Sequence, residues 1–270
     1  TALVHTVHNA KPYHGDGKAS AQARGYLDLL RRFDALIVHG QSTVDALAGQ
    51  GLDPARIHII PHPPMRLASA SAEELAAVPK PAVPRILFFG TIRPYKGLDL
   101  LIDAALALWR EGLDFELAIA GKPFMPIEPM LAPIQEAGFG HRLVTDLGFL
   151  TEGRLDAHLQ AADMIAFPYR SIDSSGAFLS ALHYGKALVT SDAGMFKGLK
   201  ADLVARFPAE NVDALTTSLR FLICDVATRQ AIGHAAAALS SCSSDWATAA
   251  QATEEAYHVA RAQLAHRGNE

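Results

Sequence analysis

The chain has 270 residues, 50% hydrophobic and 19% charged, with a formal net charge of −4. That length holds one large core or two smaller ones, about two domains, and the acidic balance argues against a nucleic-acid-binding surface. Cys224 and Cys242 are too few for a disulfide framework, no run of about 18 apolar residues could span a membrane, and no cleavable signal opens the chain, so a cytoplasmic setting is expected.

Thr1 leads directly into Ala-Leu-Val-His-Thr-Val-His, which reads as an internal strand and gives the expectation of a truncated chain. Leu3–Val7 is strand-like, Ser20 can N-cap a helix over 21–32, and Ala35–Val38 is a short apolar strand. Ser42 can N-cap a helix to about Gln50 that closes on Gly51, and Ile57–Ile60 is a strand stopped by Pro61-His62-Pro63-Pro64. Residues 65–84, alanine-rich and bounded by Pro79, Pro81 and Pro84, read as a linker.

A second alternating series begins with strand 86–89 and helix 98–111, where Leu98, Leu101, Ile102, Ala105 and Leu108 follow a helical period. Strand 115–120, helix 126–138, strand 143–147, helix 152–161, strand 164–167, helix 176–184 and strand 187–190 follow, with late helices over 210–239 and 245–266. Strict alternation with nearly all-apolar strands implies an α/β fold of parallel sheets covered on both faces. Ligands of such sheets bind beyond the carboxyl ends of the strands.

Ile-Leu-Phe-Phe-Gly ends a strand on Gly90, and Thr-Ile-Arg-Pro-Tyr-Lys-Gly then carries Arg93 and Lys96 into a helix N-terminus. Free N–H groups, the helix dipole and two cations favour a phosphate there. Two solvated cations are the alternative, but the dipole disfavours them. The turn Arg170–Gly176 repeats the arrangement, so two such turns suit a diphosphate. Ser174, Ser175 and Gly176 can present N–H groups to an anion or simply cap the next helix, and Asp173 can accept from sugar hydroxyls or be a plain turn residue.

Twelve histidines are present, six of them within the first 62 residues. His5 and His8, three apart in a strand, point to opposite faces. His58 and His62, four apart in an extended chain, are roughly 13 Å from each other, and no cysteine or acid accompanies either pair, so no metal site is expected. His8, at a strand's carboxyl end and followed by Asn9, is the candidate for a catalytic or acceptor-binding role; His62 reads as structural or cleft-lining. Dinucleotide, P-loop and serine-elbow signatures are absent.

In order along the chain stand Phe-Gly-Thr-Ile-Arg-Pro-Tyr-Lys-Gly-Leu, Leu-Ala-Ile-Ala-Gly, Asp-Leu-Gly-Phe-Leu-Thr, Ala-Ala-Asp-Met-Ile-Ala-Phe-Pro-Tyr and Gly-Lys-Ala-Leu-Val-Thr-Ser-Asp-Ala-Gly. Together they resemble the carboxyl-terminal domain of retaining glycosyltransferases of the "group 1" type, with the GT-B fold of two Rossmann-like domains facing a cleft. Phe-Asp-Ala-Leu-Ile-Val-His-Gly-Gln-Ser and Ile-His-Ile-Ile-Pro-His-Pro are similar to the last part of that family's amino-terminal domain. Asp-Trp-Ala-Thr-Ala-Ala-Gln-Ala-Thr resembles its closing helix. The resemblance implies that residues 1–64 are the end of an incomplete acceptor-side domain, 65–84 a linker, 85–240 the donor domain, and 241–270 a helix packing back across the cleft.

By resemblance, Arg93 and Lys96 hold the donor diphosphate with Ser175 and Gly176. Asp173, Ser174 and Ser180 meet the sugar and ribose, Gly148, Phe149 and Leu150 border the base, and His8 lies beside the transferred sugar. The family often carries two glutamates where Ile172 and Ser180 stand here, which leaves the donor's identity open. No metal or cofactor is implied. The function implied is transfer of a sugar from a nucleotide-diphosphate sugar, with retention, to a saccharide, lipid-linked or small-molecule acceptor. The alternative is a non-catalytic nucleotide-binding module, or half of a split enzyme whose partner chain supplies the missing amino-terminal part. The setting is cytoplasmic, with peripheral contact at the inner membrane face left open.

Overall fold

The computed structural model describes residues 1–10, 19–242 and 245–267. The chain divides into two compact units: Thr1–Pro64 with Ile172–Ser175 and Ser243–Glu270, and Met65–Ser171 with Gly176–Cys242.

The first unit opens with β1 (Val4–Thr6), α1 (Ala19–Arg31), β2 (Ala35–Val38), α2 (Gln41–Ala48) and β3 (Ile57–Ile59). The three strands form a parallel sheet in the order β1-β2-β3. All four residues of β2, Ala-Leu-Ile-Val, are buried, because the central strand of a parallel sheet is covered on both faces. Side chains alternate accordingly: Leu36 and Val38 pack with Leu30 and Leu47, while Ile37 turns to the opposite face and meets Ile60. Ser20 falls inside α1, and its side chain lies outside the described residues. Ser42 is not the cap of α2. Gly40 holds that position in an extended conformation, and no side chain bonds the free N–H groups.

The second unit begins within the stretch read as a linker. Residues 72–77 form α3 (Ala72–Ala77), started by a reciprocal capping box: Ser71 Oγ accepts from Glu74 N–H, and Glu74 Oε2 accepts from Ser71 N–H. Glu152 and Asp156 tie the segment down by accepting from Ala68 N–H and Ala70 N–H. Then follow β4 (Arg85–Phe89), α4 (Leu98–Arg110), β5 (Glu116–Gly121), α5 (Glu128–Glu136), β6 (Leu143–Leu147), α6 (Glu152–Ala161), β7 (Met164–Phe167), α7 (Gly176–Ala181), β8 (Ala187–Ser191), β9 (Ala205–Phe207), α8 (Val212–Cys224) and α9 (Val226–Cys242).

The six strands are all parallel, in the order β6-β5-β4-β7-β8-β9. Every residue of β4, β7 and β8 is buried, and Leu98, Leu101, Ile102, Ala105 and Leu108 of α4 are buried against the sheet as their spacing requires. Strand β9, only Ala-Arg-Phe, is absent from the sequence reading. The helix expected over 210–239 is two helices. Asp225 breaks it and caps the second by accepting from both the N–H (3.0 Å) and the hydroxyl (2.8 Å) of Thr228.

The chain then returns to the first unit as α10 (Trp246–Arg267), which sets Ala249, Ala252 and Ala256 on Ile37 and Ile60. Small residues at that spacing let the helix lie close to the sheet. Among the described residues no helix is long and apolar enough to cross a membrane.

Candidate functional site

In the six-stranded sheet the chain runs one way from β4 to β5 and β6, and the other way from β7 to β8 and β9. The carboxyl ends of β4 and β7 therefore flank the topological switch point, where loops diverge and leave a crevice. Gly90 (φ 94°) ends β4 and gives its N–H to Ala120 O (2.9 Å). A side chain on Gly121 (φ 138°) would run into the Gly90 carbonyl, so this approach of β4 and β5 requires glycine. Pro94–Lys96 makes one tight turn, and Gly97, left-handed at φ 67° and ψ 33°, starts α4 with no room for a Cβ beside Pro168 O.

Lys96 sits on that turn and is only 6% exposed. Its Nζ lies 5.3 Å from the Tyr169 ring centroid. Among the described residues no carboxylate pairs with it. Burial, and secondly the charge of Arg93, pull its pKa from 10.5 down to about 8. The Arg93 guanidinium lies over Phe124, 4.3 Å from the ring centroid. A buried ammonium without an acid, next to a guanidinium at a helix start, is a preorganised place for an anion.

Arg170, just past β7, braces this turn. It donates from Nη1 to Pro94 O (2.9 Å) and to Asp99 Oδ1 (2.9 Å), and its N–H to Tyr95 O (2.7 Å). Burial works to raise the Asp99 carboxyl, but the Arg170 hydrogen bonds and charge outweigh it and hold the pKa below the usual value.

At the ends of β5 and β6 lies an aromatic surface. Gly148 (φ 144°) donates to Gly121 O (3.1 Å), and Phe149 beyond it is 82% exposed. Its ring meets Phe124 edge-on with centroids 6.5 Å apart, and Lys122 Nζ stands 5.4 Å from its centroid. Leu150 is half-buried. Phe124 and Lys122, in the Gly-Lys-Pro-Phe after β5, are absent from the sequence reading, although a glycine ending a strand followed by a cation and an aromatic was visible there. Gly176 begins α7 and is exposed, and Ser180 on the same helix is buried.

The remaining expected residues belong to the first unit. Ser174 is half-buried, Ser175 is buried, and Asp173 Oδ2 accepts from Ala10 N–H (2.6 Å), so one of its oxygens holds the loop after β1. Tyr26 donates to Asn9 O (3.1 Å) in the same loop. His8, exposed in this loop, is not paired with His5. It contacts His39, from the end of β2: His39 Nε2 and His8 Nδ1 are 3.2 Å apart. His39 in turn packs on His62, and His62 on Trp246, at 5.3 and 5.6 Å between centroids. No three His, Cys, Asp or Glu side chains among the described residues could hold a metal ion.

Residues 83–225, over half of the chain and containing the whole Arg93–Lys96 turn, match the family described as "Glycosyl transferases group 1". The chain belongs to this family. This group 1 chain is 27% identical over 192 residues to GDP-mannose:glycolipid 4-beta-D-mannosyltransferase of Xanthomonas campestris pv. campestris, a match covering 70% of the chain and 50% of that protein. It therefore spans about half the length of the curated relatives it matches. Among solved structures it is similar to sucrose-phosphate synthase from Thermosynechococcus elongatus, with a TM-score of 0.79 at 18% identity over 96% of this chain and 68% of that one. Anabaena HepE, solved with UDP-glucose, gives 0.77 at 17% identity over 97% and 72%. The fold of the group 1 chain is thus the α/β, Rossmann-like GT-B fold of these glycosyltransferases.

Proposed function

We propose that the chain transfers a sugar from a nucleotide-diphosphate sugar to an acceptor hydroxyl, with the second unit holding the nucleotide. The observation that carries this reading is Lys96, 6% exposed and with no acidic partner among the described residues, beside Arg93 at the switch point. A diphosphate neutralises both cations. As the glycosidic bond breaks, its electron pair passes to the diphosphate oxygen, and the two cations stabilise that growing charge in a site where they need little reorganisation. Ser175 and Gly176 add N–H donors to the diphosphate. Asp173, through its Oδ1, with Ser174 and Ser180, takes sugar and ribose hydroxyls, and Gly148, Phe149 and Leu150 border the base. His8 meets the transferred sugar, and no metal is required.

The relatives' names leave the base open between guanine, as in the GDP-mannose enzyme, and uracil, as in HepE. Retention, by attack on the face the diphosphate leaves, follows from the family resemblance. The "4-beta" in the mannosyltransferase's name favours a second reading, inversion, because a β-product from an α-linked donor is inverted. Inversion needs a base to take the acceptor's proton, and His8 is the candidate. The one-bond carbon–proton coupling at the anomeric centre of the first product formed distinguishes the two, for a mannoside as for a glucoside.

Calorimetric titration of UDP, GDP and ADP into the chain and into Arg93→Ala/Lys96→Ala tests the donor assignment. One nucleotide should bind the native chain and not the double variant. Folded protein that binds none of the three overturns the reading.

A further inference from the structure

Three parallel strands of the first unit each deliver a histidine just past their carboxyl ends: His8 after β1, His39 after β2, His62 after β3. The protons along this row can be assigned from acceptor chemistry. His39 Nδ1 lies 3.0 Å from Ile60 O. A carbonyl oxygen only accepts, so Nδ1 carries the proton and the neutral ring has its lone pair at Nε2. Burial lowers the His39 pKa, the Ile60 carbonyl opposes this, and His8 and His62 lower it further, so the ring stays neutral at physiological pH. That lone pair is 3.2 Å from His8 Nδ1. A hydrogen bond between them needs the proton on His8 Nδ1.

We propose that His39 is a positioning residue that holds His8 in the Nδ1–H tautomer, leaving the His8 Nε2 lone pair to accept from a sugar hydroxyl. The backbone is built to keep this order. Ile60 N–H donates to Val38 O (2.8 Å), which fixes the carbonyl that orients His39. Val7 N–H donates to Ile37 O (2.8 Å) and Ala10 N–H to Asp173 Oδ2 (2.6 Å), which fixes the loop on both sides of His8. On its other side His39 meets the His62 ring edge-to-face, and His62, whose Nδ1–H donates to Pro63 O (2.7 Å), is held by Trp246. What His8 meets rests on the transferase reading above; its tautomer does not.

The test is a long-range proton–nitrogen correlation spectrum of the full chain with 15N-labelled histidine, the His8 signals being assigned by their loss in His8→Asn. The expected spectrum shows His8 protonated at Nδ1 and bare at Nε2. His39→Gln, whose amide oxygen can still accept from His8 Nδ1, keeps that tautomer. His39→Phe removes the acceptor and shifts His8 toward Nε2–H. Transfer, measured in parallel, should fall on the order of tenfold or more in kcat for His39→Phe with donor KM unchanged, and recover in His39→Gln. A native His8 protonated at Nε2, or a His8 tautomer unaffected by His39→Phe, overturns the proposal whatever the activity. The expected tautomers without any sugar transfer leave the positioning intact and refute the transferase reading alone.

Discussion

Replacing Lys96 by methionine should stabilise the folded chain while abolishing its affinity for a nucleoside diphosphate. Lysine and methionine have similar apolar stems, so the substitution mainly removes the charge. The pKa of Lys96 falls from 10.5 to about 8 on folding, so at pH 7 the protonated form costs the folded state about 3 kcal/mol. Loss of the desolvated cation–π contact with Tyr169 takes back about 2 kcal/mol. The remaining gain of about 1 kcal/mol raises Tm by roughly 2–4 °C for a domain of this size.

The pH dependence carries the sign. Below about 8 both folded and unfolded states hold the proton and the penalty is complete. Between about 8 and 10.5 only the unfolded state keeps it, so native stability rises with pH through that window, and Lys96→Met should lack the rise. Calorimetric melts of both proteins from pH 7 to 10, with and without the bound nucleotide, read all of this. A variant less stable than the native chain at pH 7, or a native chain with no gain above pH 8, refutes the unpaired buried cation.

Three further substitutions probe the surroundings. Phe149→Ala, at a position 82% exposed, should leave stability within about 0.5 kcal/mol while weakening nucleotide binding by about 1–3 kcal/mol through lost stacking; inorganic pyrophosphate affinity should not change, and equal losses for both ligands in titration would contradict the base assignment. Arg170→Lys loses the planar fork that joins Asp99 to Pro94 O, so nucleotide affinity should fall about tenfold with the circular dichroism spectrum intact, and unchanged affinity would show that the brace is dispensable. Gly97→Ala forces a left-handed residue against Pro168 O and should cost at least about 1–2 kcal/mol in urea unfolding; a neutral result would mean that the turn rearranges freely.

The second unit was legible because its strands are continuous apolar runs and its anion turn is local. Phe89, Gly90, Arg93, Lys96 and Gly97 lie within nine residues, so strand, turn and helix start could be read from one short segment. Features decided by one or two residues leave no such run. Ser71 and Glu74 form a capping box of the usual spacing inside an alanine-rich stretch read as a linker, and Asp225 ends one helix and caps the next inside a continuous helical pattern. Strand β9 has three residues, too few for any period to show.

The histidines show a limit of spacing arguments. The spacings of His5 with His8 and of His58 with His62 run along single strands, whereas the contacts run across the sheet, from His8 to His39 and from His39 to His62. Parallel register sets those neighbours, and residue spacing in one dimension does not carry it. The same holds for Asp173 and Ala10, which are 163 positions apart in the chain.

A crystal structure of the chain with the nucleoside diphosphate that binds in titration tests the central claim most directly. The account predicts diphosphate oxygens within hydrogen-bonding reach of Lys96 Nζ and the Arg93 guanidinium, at the carboxyl ends of β4 and β7. A nucleotide bound elsewhere, with Lys96 still buried against Tyr169 and touching no phosphate, would contradict it.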